Sequence, residues 1–131
     1  MFNFKLVFRL FVVAMVLFTV ASAQDKNSKE PGVITLVQTP GKFETDALQL
    51  KAGKYQFEII NKNIDTEVAF FLRDEADKES MDLSTALPNS LLEKTLKKGE
   101  RGMTGIIELE PGKYVYGCPL NGTPLYTITV E

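Results

Sequence analysis

The chain contains no histidine and a single cysteine, Cys118. The first absence removes several classes of function together. Histidine acid–base catalysis, nucleophile–histidine triads and every metal centre built on imidazole need a side chain that this protein lacks. The second absence removes the intramolecular disulfide on which small exported domains often rely. There is also no glycine-rich phosphate loop, no nucleophile–base pair and no pair of carboxylates at a motif spacing, so no enzyme is expected. Nor is there a basic patch interleaved with aromatics. The formal net charge is −2, and a mildly acidic protein of this kind is a poor partner for nucleic acid or anionic lipid. No internal repeat or low-complexity tract interrupts the chain.

What is present begins with an export pattern. Lys5 and Arg9 form a short positive start, Leu10 to Val20 is apolar apart from Thr19, and Ala21-Ser22-Ala23 gives the small-x-small site that signal peptidase reads. A membrane-spanning helix needs about 20 apolar residues, more than this run supplies. Cleavage after Ala23 is expected, with residues 1–23 removed and a periplasmic or secreted protein left without a membrane anchor. No cysteine at the cleavage point supports a lipid anchor. Residues 24–32 are polar and charged and read as a flexible leader. Residues 33–131 form one domain, long enough for one hydrophobic core. In an oxidising compartment the lone Cys118 is a buried thiol, half of an intermolecular bridge or a metal ligand.

The domain reads as all-β. Val33 to Val37 is β-branched and nearly continuous, as in a strand buried on both faces. Thr39-Pro40-Gly41 ends it, and a short strand follows at Ala47 to Leu50. Tyr55, Phe57 and Ile59 then alternate with Lys54, Gln56 and Glu58, the period of a half-buried strand. Val68 to Leu72 is apolar throughout and predicts a central strand. Residues 73 to 98 break the pattern: a charged run from Asp74 to Glu79 precedes Leu83, Leu87, Leu91 and Leu92 at near-helical spacing. They predict an excursion of one or two helical turns, with Asn89-Ser90 as a candidate cap. Strands resume at Thr104 to Leu109, Lys113 to Cys118 and Leu125 to Val130. The total is about seven strands, the pattern of a Greek-key β-sandwich or barrel.

The cadence of the C-terminal third is specific. Glu110-Pro111-Gly112-Lys113-Tyr114-Val115-Tyr116-Gly117-Cys118, followed by a loop and a last strand, resembles the cupredoxins, whose corresponding strand delivers the thiolate of a blue copper site. Leu50 to Asn61 is similar to a second shared segment, which leads by a short turn to the first copper histidine. The resemblance implies a cupredoxin-like fold and places Cys118 at the thiolate position. A type 1 copper site uses one thiolate, two imidazoles and usually a distant Met. In short-loop members such as amicyanin the second histidine lies three residues after the cysteine and the Met three further on. Those positions hold Asn121 and Pro124 here. The first histidine position falls at Thr66 or Glu67. The loop is substituted rather than shortened.

Cys118, Glu67 and the Asn121 amide are therefore the candidate copper ligands, one soft donor and two hard ones, with Met81 and Met103 as further soft groups. Each also has a structural reading. Cys118 suits a small buried hydrophobe, Asn121-Gly122 a tight turn, Glu67 an exposed acid at a strand end and the acidic run a solvated loop. Two functions follow. One is a binding or structural protein on a copper-free scaffold, meeting a partner protein or small ligand through its loops. The other is an atypical copper-binding or electron-transfer protein using Cys118 with non-histidine ligands.

Overall fold

The computed structural model describes residues 30–80 and 82–131. The expected export signal, most of the expected leader and Met81 lie outside them. The alternation centred on Phe57 forms the long strand β4 (Gly53–Asn61), with Phe57 and Ile59 fully buried. Around it run β1 (Gly32–Thr39), β2 (Lys42–Phe43), β3 (Leu48–Leu50), β5 (Phe71–Asp74), β6 (Arg101–Met103), β7 (Ile107–Leu109), β8 (Gly112–Gly117) and β9 (Tyr126–Val130). They make two sheets. One has the order β2-β1-β4-β6, with β7 also on β4, and the other the order β3-β9-β8-β5. The β1–β4 and β3–β9 pairs are parallel and the remaining pairs antiparallel.

The all-β expectation holds, and the nine strands among the described residues differ from the expected set for local reasons. The strand expected at Thr104 to Leu109 is divided. The Thr104 N–H donates to the Phe57 carbonyl (2.9 Å), while the Thr104 hydroxyl accepts from the Phe57 N–H (3.0 Å). A side-chain oxygen thus stands where a ladder carbonyl would, and the chain bulges between β6 and β7. Gly105 is required at the bulge, since a Cβ there would lie 2.8 Å from Asn89 Cβ. β1 is not buried on both faces. Leu36 and Gln38 are fully buried, whereas Val33 and Thr35 face solvent.

Val68 to Leu72 is not a central strand. Val68 makes an isolated bridge to Leu96, and β5 begins only at Phe71, on the edge of the second sheet. Between them the backbone of Ala69 is diverted to side chains, as described below.

The excursion contains two 3-10 turns, Glu75–Asp77 and Leu83–Thr85. Their caps are Asp74, accepting from the Ala76 N–H, and Asp82, accepting from the Ser84 N–H. Asn89 instead adopts a left-handed conformation (φ 68°), and the Ser90 hydroxyl donates to the Leu87 carbonyl.

The two sheets close on an aromatic cluster. Phe43 meets Tyr116 edge-on at 5.1 Å, Tyr126 stacks on Tyr116 at 5.1 Å, and Phe57 stacks on Phe70 at 5.7 Å. The Tyr116 hydroxyl donates to the carbonyls of Thr45 and Asp46, both at 2.7 Å, which fastens the β2–β3 connection to β8. Desolvation, then the nearby Tyr126 and Asp46, push the Tyr116 pKa well above its ordinary 10.0. A raised phenol pKa contributes stability that is complete below pH 10.0 and is lost progressively as pH rises above it. Tyr116→Phe should therefore lower stability by about 1 kcal/mol at neutral pH. It should also weaken the alkaline decline, as read from urea unfolding at neutral pH and above pH 10.0.

Candidate functional site

Cys118 follows directly on β8, whose register with β5 and β9 carries it to one end of the sandwich. It is 3% exposed, and its Sγ accepts two backbone N–H groups, from Ala69 and from Asn121, each at 3.3 Å. The Cys118 N–H donates to the Thr123 hydroxyl at 2.9 Å. With Gly122 in the left-handed region (φ 65°), these bonds make residues 118–123 a tight loop.

The polar groups around the sulphur form a closed circuit. Ala69 gives its N–H to Sγ, and its carbonyl accepts from Gln38 Nε2 at 2.8 Å. Gln38 Oε1 accepts from Asn121 Nδ2 at 3.2 Å, and Asn121 returns its N–H to Sγ. The rest of the Asn121 amide is spent on the β1–β2 turn. Nδ2 donates to the Thr39 carbonyl (2.9 Å), and Oδ1 accepts from the Gly41 N–H (3.0 Å). The strand end, the turn and the 118–123 loop are thereby tied to one another by side-chain amides.

A second buried amide shapes the segment that precedes Ala69. Asn61 Nδ2 approaches the carbonyls of Ile64 (3.1 Å), Thr66 (3.2 Å) and Leu96 (3.1 Å), while Oδ1 accepts from the Ile64 N–H (2.9 Å). The polar turn after β4 is thus folded over a fully buried asparagine.

Of the candidate ligands, the structure brings Cys118 and Asn121 together, through the Asn121 backbone. Thr66 and Glu67 are exposed, and the contact from their segment to the sulphur comes from Ala69. Met103 is exposed on β6, and Met81 lies outside the described residues. Among the described residues, no three Cys, Asp or Glu side chains cluster as a metal site. This donor set does not fit a type 1 copper centre. The chain has no imidazole, and the amide oxygen at the loop position already holds a backbone N–H.

Gln38 and Ala69 were not singled out from the sequence. Gln38 carried a signal, as a polar residue at the inward parity shared with Ile34 and Leu36. Ala69 carried none, because it acts through its backbone.

Residues 10–130 match the family model of the cupredoxin-like domain. The chain belongs to that family. Its likeness to solved blue copper proteins is one of fold. Auracyanin B superimposes with a TM-score of 0.58 at 22% identity, covering 78% of this chain and 91% of that one. Auracyanin A, a "blue" copper protein from Chloroflexus aurantiacus, gives 0.58 at 15% identity, covering 78% and 100%. An amicyanin variant in its reduced Cu(I) form gives 0.51 at 21% identity, covering 80% and 95%. No curated protein sequence matches the chain.

Beside the cupredoxin loop lies a shallow cavity of about 220 Å³, lined by apolar groups including Phe70, Leu83, Leu91, Leu92 and Pro119, with Glu93 and Lys94 also on its lining. Leu83 and Leu91 are 52% and 43% exposed, and Leu120 in the loop is 53% exposed.

The circuit can be tested by cutting it at Gln38. Gln38→Leu leaves the Ala69 carbonyl without its side-chain donor and Asn121 Nδ2 without one of its two acceptors, and should cost about 2 kcal/mol of stability. The Cys118 thiol should then react faster with a soluble disulfide reagent than in the parent protein. Unchanged thiol reactivity would show that the amides do not hold the loop closed.

Proposed function

We propose that this protein is an exported, copper-free cupredoxin-like domain that acts as a binding or structural protein. The observation that supports this reading is the commitment of Asn121. Its amide holds the β1–β2 turn and Gln38, so loop order around Cys118 does not depend on a metal. The candidate contact surface is the apolar groove beside that loop, with Leu83, Leu91 and Leu120 exposed around it. A partner protein or a small apolar ligand suits such a lining better than nucleic acid, for which an acidic chain supplies no basic footprint. The leader pattern of Lys5, Arg9 and Ala21-Ser22-Ala23 supports export to the periplasm or beyond.

The second reading, a copper protein with unusual ligands, is favoured by one observation. Cys118 keeps its place at the end of β8, with two N–H groups aimed at its sulphur. Titration of the reduced protein with Cu(II) and Cu(I) separates the two. The first reading expects no intense thiolate-to-copper band and no stoichiometric metal. One tightly held copper per chain, lost in Cys118→Ser, would establish the second.

A further inference from the structure

The edge of the first sheet carries an unused pairing surface. β1 pairs with β4 from Gly32 to Gln38 on one side, and β2 covers the other side only at Gln38 and Thr39. The Gln38 carbonyl accepts from the Lys62 N–H on the β4 side, and the Val37 carbonyl accepts from the Glu44 N–H on the outer side (2.8 Å). Backbone groups of successive residues in a strand point to opposite sides. Val33 and Thr35 therefore aim their N–H and C=O outward, as Val37 does. Among the described residues no strand pairs with them there.

Edge strands are ordinarily protected by lysine, proline, a bulge or a covering segment. Gly32–Thr39 contains neither a charged residue nor a proline, and no bulge breaks its register with β4. Val33 is 59% exposed, the most exposed large apolar side chain among the described residues. We propose that the outer edge of β1 over Gly32–Leu36 pairs antiparallel with the same edge of a second copy of this chain, about a two-fold axis at Ile34.

The choice of a second copy comes from the ends of the open window. Pro31 closes one end, having no N–H to offer, and Glu44 closes the other by holding Val37. The two-fold pairing puts the Pro31 end of each strand opposite the Glu44 end of the other, so each copy stops pairing where its partner's edge is already filled. Val33 of each copy faces Thr35 of the other and exchanges both backbone bonds with it. On the solvent face this forms two β-branched cross-strand pairs, a favourable kind. The interface is isologous and closed, so it yields a dimer with one continuous sheet and no filament.

Sedimentation of the reduced protein over a concentration series should show the average mass rising toward twice the monomer value. Thr35→Pro removes an outward N–H while leaving the bonds to β4, and should remain monomeric at every concentration. The register has its own test. In the double variant Val33→Cys/Thr35→Cys, the hydrogen-bonded pair places Cα atoms about 5.5 Å apart, within reach of a disulfide. Mild oxidation should convert it to a reducible covalent dimer, more completely than either single variant. A parent protein that stays monomeric throughout, or double and single variants that crosslink equally, would overturn the proposal.

Discussion

A polar group taken out of water must find its partner inside the fold, and at the Cys118 end of this protein that requirement falls on three side-chain amides. Gln38 and Asn61 are fully buried, and Asn121 is partly so. Each carries two donors and an acceptor oxygen, and leaving one unmade in the interior costs about 1–3 kcal/mol. Gln38 joins the strand edge to Ala69 and to the loop, Asn121 joins the loop to the β1–β2 turn, and Asn61 folds the segment leading to Thr66. Three stretches of chain, 38–41, 61–69 and 118–123, are thus fastened around the sulphur, which itself accepts from the Ala69 and Asn121 N–H groups. The aromatic cluster beneath them supplies the burial that makes those bonds consequential.

Much of the fold was legible because burial leaves a period in the sequence. Tyr55-Phe57-Ile59 and Tyr126-Ile128-Val130 read directly as half-buried strands, since one face meets the core and the other meets water. The pattern misled where neighbours, not composition, decide burial. Val33 to Val37 is as apolar as a central strand, yet β2 covers only its far end. Val68 to Leu72 is equally apolar, yet the backbone of Ala69 serves Cys118 and Gln38 in place of a ladder. Near-helical leucine spacing after residue 83 ended in a 3-10 turn, because Pro88 and the left-handed Asn89 interrupt any longer run.

The site was legible in part. The Tyr-x-Tyr-x-Cys strand located Cys118, and the tight-turn reading of Asn121-Gly122 agrees with the observed loop. The fastening role of the Asn121 side chain was not visible, since its partners Gly41 and Gln38 lie some eighty positions away in sequence. Long-range partners of this kind leave no local signature. The outcome is a cupredoxin-like scaffold in which the Asn121 amide ties the loop to the β1–β2 turn and to Gln38. In the function proposed above, a loop held by amides keeps its shape without a metal and presents the apolar groups beside it, Leu83, Leu91 and Leu120, as a constant surface.

The most direct measurement of that claim is amide hydrogen exchange on the reduced, chelator-treated protein, read at the Ala69 and Asn121 N–H groups and repeated with Cu(I). If the side-chain amides hold the circuit closed, both N–H groups are protected without metal and copper adds nothing. Rapid exchange at both positions without metal, with protection appearing only when copper is added, would contradict the account.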